Sequence, residues 1–398
     1  METISYADFS AKFDSGSSIK RIPMYGMFEV TRRCPLKCVH CYNNLPLNDR
    51  EALHDELTLD EHCHILDELT DAGCLWLTYT GGEIFARKDF LDIYTHAKKK
   101  GLLVSLFTNG TLLTPEIADY LAQWPPYVIE ITLYGRTRET HEQVTGVPGS
   151  YEKCMEGIRL LRERNLPLRL KTMALTINEH EIGLLRSFVE DELGVEFRFD
   201  PMITPRLDYS QNPLDLRLPP QRVLELDFED TKRKLEWEKF AGRLNSCSPL
   251  QRANNEIYYC KAGIKGFGID PYGGLNLCLF SPDGKYDLRK GSFREGWEGA
   301  VLRERNRNIT RQTKCMECMI RDLCGMCPPN SELEKEDPEE PIDFYCEVAH
   351  LRAQAFGIPV KPHGECKYCT PGQKADTRHG HVSVPFGDGV NPSPSWRG

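Results

Sequence analysis

Val30-Thr-Arg-Arg-Cys34-Pro-Leu-Lys-Cys38-Val-His-Cys41-Tyr42 leaves a short apolar run, 27–31, and turns at once into a polar loop with three thiols. Cysteines spaced C-x3-C-x2-C can wrap one loop around three corners of a cubane iron–sulfur cluster. A closed cluster takes four cysteines. With three local thiols one iron stays open to a substrate or cofactor, as the open position of a catalytic zinc does. The competing reading is a zinc knuckle short of one ligand, with His40 or His54 filling in.

Working outward from this loop, short apolar runs alternate with amphipathic segments up to about residue 200. The spacing predicts strands at 27–31, 75–80, 102–107, 128–133, 168–175 and 196–199. Helix boundaries are marked between them. Thr58-Leu-Asp-Glu61 is a capping box closed by Gly73, and Asn178-Glu-His-Glu181 offers a second, with Gly194 as its stop. Thr114-Pro115 places a capping hydroxyl before a first-turn proline, and Lys98, Lys99 and Lys100 precede Gly101. Alternation of this kind implies parallel strands joined by helical crossovers. Six units are too few for an eight-fold barrel, so the fold class is α/β, a partial (β/α)6 TIM-like barrel with its chemistry at the C-terminal strand ends. A small cysteine-rich domain follows. The expected divisions are an N-terminal segment 1–23, the barrel 24–205, a linker and helix 206–255, the cysteine-rich domain 256–360 and a tail 361–398. Within these, 201–220 is proline-rich and reads as linker, 221–244 as one helix, and 383–398 as disordered.

The 398 residues allow two or three domains with at least one large core. A net charge of −9 gives no basic face for nucleic acid. No apolar run approaches the ~18 residues of a membrane span, and the start lacks a secretory pattern, so the expected location is cytoplasmic. There are 16 cysteines. In a reducing compartment such thiols are metal ligands or catalytic groups more often than disulfides.

A second motif, Thr78-Tyr-Thr-Gly81-Gly82-Glu83, ends the second strand, and Phe107-Thr108-Asn109-Gly110 ends the third. The triad after strand one, with Gly-Gly-Glu after strand two, resembles the radical S-adenosylmethionine (SAM) superfamily. The resemblance implies a [4Fe–4S] cluster on Cys34, Cys38 and Cys41 that binds SAM at its open iron. One electron then cleaves SAM to methionine and a 5′-deoxyadenosyl radical. It also implies that Gly81 and Gly82 let the backbone approach the methionyl group, that Glu83 accepts from its ammonium, and that Thr108 and Asn109 lie near its ribose. Asn109-Gly110 also reads as a turn that needs no ligand. Many relatives carry Asp where this chain has Tyr134, which puts the polar contact at the fourth strand in doubt. Lys171 reads as an exposed strand lysine, with an inward position facing an acid as the alternative.

The second constellation is Cys260, Cys278, Cys315, Cys318, Cys324, Cys327 and Cys346. Seven thiolates exceed one four-ligand site, and zinc ribbons use such spacings too. Behind a radical SAM core the block resembles the SPASM extension, which carries two auxiliary [4Fe–4S] clusters. It departs in having two residues, not three, between Cys324 and Cys327. Position by position, the resemblance puts Cys260, Cys278 and Cys327 on auxiliary cluster I and Cys315, Cys318, Cys324 and Cys346 on auxiliary cluster II, three clusters in all. Cluster I lacks a ligand, which Cys247 can supply unless the iron stays open. Gly273 and Gly274 match the glycine that precedes the second cysteine. Beyond lies Cys366-Lys-Tyr-Cys369, with His363, His379 and His381 nearby. It reads as a zinc site, a redox pair, a donor to the auxiliary site or a metal-free surface pair. Cys63, Cys74 and Cys154 read as core.

The resemblance implies a radical SAM/SPASM oxidoreductase that abstracts hydrogen from a peptide substrate, cross-linking or oxidising it. An electron donor such as flavodoxin or ferredoxin is implied as well. The acidic residue of sulfatase-maturing relatives is replaced by Leu279. About 24 residues precede the first strand, so either a leader-binding protein is expected to be separate or the substrate is not a leader-bearing peptide. The alternatives are a small-molecule substrate such as a tetrapyrrole and, from another class, a zinc-rich structural or interaction module. The general acid or base is not legible.

Overall fold

The computed structural model describes residues 21–246, 255–282 and 284–369. Six strands lie parallel and in sequence order: β1 (Tyr25–Glu29), β2 (Trp76–Thr80), β3 (Leu103–Thr108), β4 (Val128–Thr132), β5 (Leu168–Met173) and β6 (Glu196–Asp200). These are the six runs expected from the apolar spacing, with ends shifted by a residue or two. The crossovers are α1 (Leu59–Asp71), α2 (Phe90–Lys99), α3 (Pro115–Gln123), the pair α4 (Arg138–Thr145) and α5 (Ser150–Glu163), and α6 (Ile182–Ser187), which continues through a π-helical turn. Parallel strands without hairpins need such crossovers, and the sheet curls into the expected partial barrel.

Most start and stop signals act as read. Thr58 and Glu61 form the reciprocal box, Thr114 caps α3 ahead of Pro115, and Gly73, Gly101 and Gly194 take positive φ. The second box does not form. Asn178 turns inward, accepting from Leu175 N and donating to the carbonyls of Tyr134 and Met173. Glu181 instead accepts from the Arg136 and Thr137 amides and the Thr137 and Thr140 hydroxyls, capping α4 rather than its own helix. Orphan amides at a neighbouring helix start outcompete the local ones.

The cysteine-rich region joins the barrel sheet. Its strand β7 (Gly266–Ile269) pairs parallel with β1, and β8 (Gly274–Asn276) and β9 (Tyr286–Asp287) add antiparallel outside it. Between β7 and β8, Gly273 takes positive φ and Asp270 accepts from the Tyr272 and Gly274 amides, forming the turn just before Cys278. One buried apolar cluster runs from Phe28, Leu77 and Leu106 through Phe267, Phe293 and Trp297 to Val348. Residues 201–219 are not a free linker, since Ile203, Pro213 and Leu218 are buried.

The expected single helix at 221–244 is two, α7 (Pro220–Glu229) and α8 (Thr231–Ser246), broken at Asp230. The extended backbone of Asp230 lets its carboxylate accept from Arg233 N and restart the helix. On α7, Asp227 is fully buried and accepts from Arg233 and from both Nε and Nη2 of Arg352. Arg352 lies on α10 (Asp343–Ala355), which follows α9 (Pro328–Lys335). Removing one partner of such a buried pair costs about 3–5 kcal/mol, so this contact pins the two helices together.

Candidate active site

The loop after β1 is held open as a cradle. Arg33–Cys34 pairs with Leu45–Pro46 as a two-residue parallel ladder, so the chain between them must arch. Lys37 N and Val39 N donate to the carbonyls of Thr145 and Val144 at the end of α4. Arg206 donates to the Cys41 carbonyl and to Asn44 Oδ1, both at 2.8 Å, and Leu207 N donates to Tyr42 O. The segment expected to be a linker therefore braces the loop. Within the arch Cys34, Cys38 and Cys41 lie close enough for their charges to act on one another, and burial pushes the Cys34 thiol up to about 12. Buried thiols of this kind suit a metal, which replaces their protons and supplies the charge that apolar surroundings withhold. His54 is exposed and bonded to Asp55, away from the triad.

The Gly-Gly-Glu turn docks directly on this loop. Gly82 N donates to Thr31 O at 2.7 Å and Glu83 N to Arg33 O at 3.0 Å. A Cβ on Gly81 would stand 2.1 Å from Thr31 O, and one on Gly82 would stand 2.5 Å from the Arg32 and Arg33 oxygens. The glycines thus bring two stretches of this chain's own backbone together. Glu83 is buried and accepts from Thr108 Oγ1 at 2.7 Å, Asn109 N at 2.8 Å and Phe85 N at 3.2 Å. Burial pushes its carboxyl up to about 6 against these hydrogen bonds, which favour the ionised form. Asn109 both makes a local turn, accepting from Thr111, and donates to Cys34 Sγ at 3.4 Å. The five residues expected around SAM therefore converge on the triad.

Three contacts at this site were not settled by the sequence, though the inward alternative for Lys171 is the one the structure takes. Glu29, the last residue of β1, is fully buried and accepts from Tyr42, Asn43 and Arg32. It ties the loop's end to the strand that launches it; the polar run Tyr42-Asn43-Asn44 was the available signal. The second is Tyr134, which packs in one cluster with Cys38 and whose ring stands edge-on to His40 at 5.0 Å. The doubt raised at this position resolves into a contact with the triad itself. The third is Lys171, which is not an exposed strand lysine. It faces Glu130 at 3.3 Å with its ammonium 3.2 Å from the Phe107 ring centroid, and Arg198 donates to the same carboxylate. Burial pushes Lys171 down to about 8, against the attraction of Glu130. These side chains give β4, β5 and β6 a charged cluster beside Phe107.

Two sets of the C-terminal thiols lie near one another, and Cys366 lies near Cys318 and Cys346 of the second. Cys327 feels Cys278 and Cys260, while Cys324 feels Cys346, Cys315 and Cys318. Cys247 lies outside the described residues, as do His379, His381 and 383–398. Cys74 and Cys154 are buried as expected, and Cys63 is half-buried on α1.

The partial parallel barrel thus carries a three-thiol loop at the end of its first strand with a Gly-Gly-Glu turn docked on it. Residues 28–189 match the Radical SAM superfamily. The AdoMet-dependent heme synthase of Nitratidesulfovibrio vulgaris is 32% identical over 348 residues, 80% of this chain and 91% of that protein. The antilisterial bacteriocin subtilosin biosynthesis protein AlbA of Bacillus subtilis is 28% identical over 278 residues, 67% of this chain and 57% of AlbA. The fold is similar to that of Streptococcus suis SuiB bound to S-adenosylmethionine, with a TM-score of 0.61 at 14% identity over 87% of this chain and 82% of SuiB. The chain belongs to the radical SAM superfamily, whose members bind a [4Fe–4S] cluster and SAM. Among the described residues no helix is long and apolar enough to cross a membrane.

Proposed function

We propose that this chain is a radical SAM oxidoreductase with three [4Fe–4S] clusters that oxidises or cross-links a peptide. When bound, the first cluster and SAM supply a 5′-deoxyadenosyl radical that removes a hydrogen atom from the substrate. Cys34, Cys38 and Cys41 hold that cluster, Asn109 hydrogen-bonds the Cys34 thiolate, Tyr134 packs against Cys38, and Glu83 offers its remaining lone pair to the SAM ammonium. A carboxylate has about four acceptor sites, of which three are filled by Thr108, Asn109 and Phe85. A charge-assisted hydrogen bond contributes about 1.5–3 kcal/mol, so Glu83→Gln is expected to weaken SAM binding roughly ten-fold or more in an anaerobic titration. Unchanged affinity would remove Glu83 from this role.

The observation that supports an oxidative reaction is the nearness of Cys278 and Cys260 to Cys327, and of Cys315, Cys318 and Cys346 to Cys324. Cys260, Cys278 and Cys327 would hold auxiliary cluster I, and Cys315, Cys318, Cys324 and Cys346 auxiliary cluster II. Two such clusters give the electron left on an oxidised product a way out, as peptide oxidation requires. The likeness to AlbA supports a peptide; a ferredoxin or flavodoxin as donor and a separate leader-binding protein as partner complete the proposal. Cys318→Ala and Cys324→Ala should each remove about four irons, leave reductive SAM cleavage largely intact and depress product formation.

A second reading, a tetrapyrrole substrate, is favoured by one observation: the alignment with the heme synthase spans 91% of that enzyme, well beyond the barrel. The deciding experiment offers the reconstituted enzyme, with SAM and reductant, either a peptide encoded beside its gene or a propionate-bearing porphyrin. The expected result is loss of two hydrogens from the peptide for each 5′-deoxyadenosine. Turnover of the porphyrin with an inert peptide would overturn the peptide reading.

A further inference from the structure

Four metal-ligating side chains gather beside the second auxiliary thiol group and share none of its thiols. His350, His363, Cys366 and Cys369 present one nitrogen or sulfur each, all within 4.8 Å of one another. We propose that they bind a single zinc ion, which fastens the chain beyond α10 onto that helix behind the second auxiliary thiol group.

The ligand geometry fits one tetrahedral ion. His350 Nδ1 lies 2.7 Å from the Cys346 carbonyl, so its N–H donates there and Nε2 is left facing the thiols. That nitrogen is 3.1 Å from Cys369 Sγ and 3.8 Å from Cys366 Sγ. His363 Nδ1 lies 3.0 Å from the Lys361 carbonyl, and its two ring nitrogens are 3.2 and 3.9 Å from Cys369 Sγ. Zinc bonds of about 2.0–2.3 Å put tetrahedral ligand atoms about 3.3–3.8 Å apart, close to these contacts. A backbone carbonyl bound to the other nitrogen of a histidine ligand is the usual means of fixing its tautomer and direction.

The chemistry of the set selects the metal and the role. Two thiolates and two imidazoles around one point are a structural zinc set, and four protein ligands leave no open position. A Rieske-type two-iron centre places its histidines and cysteines on different irons. Here both imidazoles approach the same thiol of Cys369, so the ligands share one centre. The surroundings are already folded to close it. Cys366 N donates to His363 O and Cys369 N to Cys366 O, while Lys314 and Lys367 both reach Asp343 at the start of α10. Gly364 takes positive φ where its turn meets Lys314. The fourth ligand was missed in the sequence because it comes from α10, one turn after Cys346. That turn links the two centres, since the carbonyl orienting His350 belongs to a thiol residue of the second auxiliary group.

This assignment is independent of the radical chemistry, and metal analysis separates the two. The full-length protein, purified anaerobically from cells supplied with iron and zinc, should carry about one zinc per chain besides its iron. Cys366→Ser with Cys369→Ser should lose the zinc and keep the iron; His363→Gln, a milder change, should lower zinc affinity. Cobalt loaded in place of zinc should show tetrahedral d–d bands and thiolate charge transfer in the wild type and neither in the double variant. Absence of zinc from the wild type, retention of zinc by the double variant, or a loss of about four irons from it would overturn the proposal. The last result would assign the pair to an iron–sulfur cluster instead.

Discussion

Changing Cys34, Cys38 and Cys41 together to alanine is expected to bring 5′-deoxyadenosine formation under reductant down to the protein-free background, with a loss of about four irons per chain. The fold should survive. The loop's course is set by backbone bonds that do not involve the thiols: Lys37 and Val39 to α4, Leu45 N to Arg32 O, and the Arg206 guanidinium to Cys41 O and Asn44. Circular dichroism should therefore match the wild type, and about eight irons should remain if both C-terminal groups hold cubanes. SAM cleavage at the wild-type rate would refute the triad as the SAM-cluster site. Zinc without sulfide in the variant would reject the auxiliary clusters and, with them, the case for an oxidative peptide modification.

The second large effect is expected from a single methyl group. Gly81→Ala places a Cβ 2.1 Å from Thr31 O at a residue whose φ is +136°, and neither the oxygen nor the backbone is free to retreat. Thr31 O already accepts from Gly82 N, and Thr31 Oγ1 is held by Glu56. Glu56 in turn holds Arg33 through two hydrogen bonds of 2.8 and 2.9 Å. Strain at such a φ alone is about 1–3 kcal/mol, and the clash adds to it. The variant should lose about 3 kcal/mol or more of local stability, with the damage directed into the triad loop. Reconstitution should yield less of the first cluster and a proportional loss of SAM cleavage. Gly183→Ala is the control: its Cβ meets nothing within 4 Å and its φ is not positive, so it should be neutral or stabilising by up to about 1 kcal/mol. Equal iron content and activity in the two variants would mean that the Gly81 contact does not govern the loop.

Features that depend on neighbours along the chain were open to reading. Strand runs report a two-residue repeat, helix starts report a hydroxyl next to its own amides, and three thiols within eight residues can only lie on one loop. The six strands, the Thr58 box and the converging Gly-Gly-Glu and Thr-Asn-Gly turns follow from such signals. Lys171 shows where they stop. An alternating strand pattern says that every second residue faces one side; it does not say that Glu130 and Arg198 from the adjoining strands will meet it there.

By itself, then, the sequence determined the parallel α/β order and the triad at the end of the first strand, because each rests on local spacing or on a family pattern that spacing carries. The tertiary structure alone decided which distant side chains share a point in space. It put Tyr134 on Cys38, Glu29 under Tyr42 and Asn43, Arg206 on the Cys41 carbonyl, β7 beside β1, and His350 opposite Cys366 and Cys369. The physical reason is that these contacts arise when separately formed elements pack. Their partners are chosen by the crossing of strands and helices, and no repeat along the chain records that crossing.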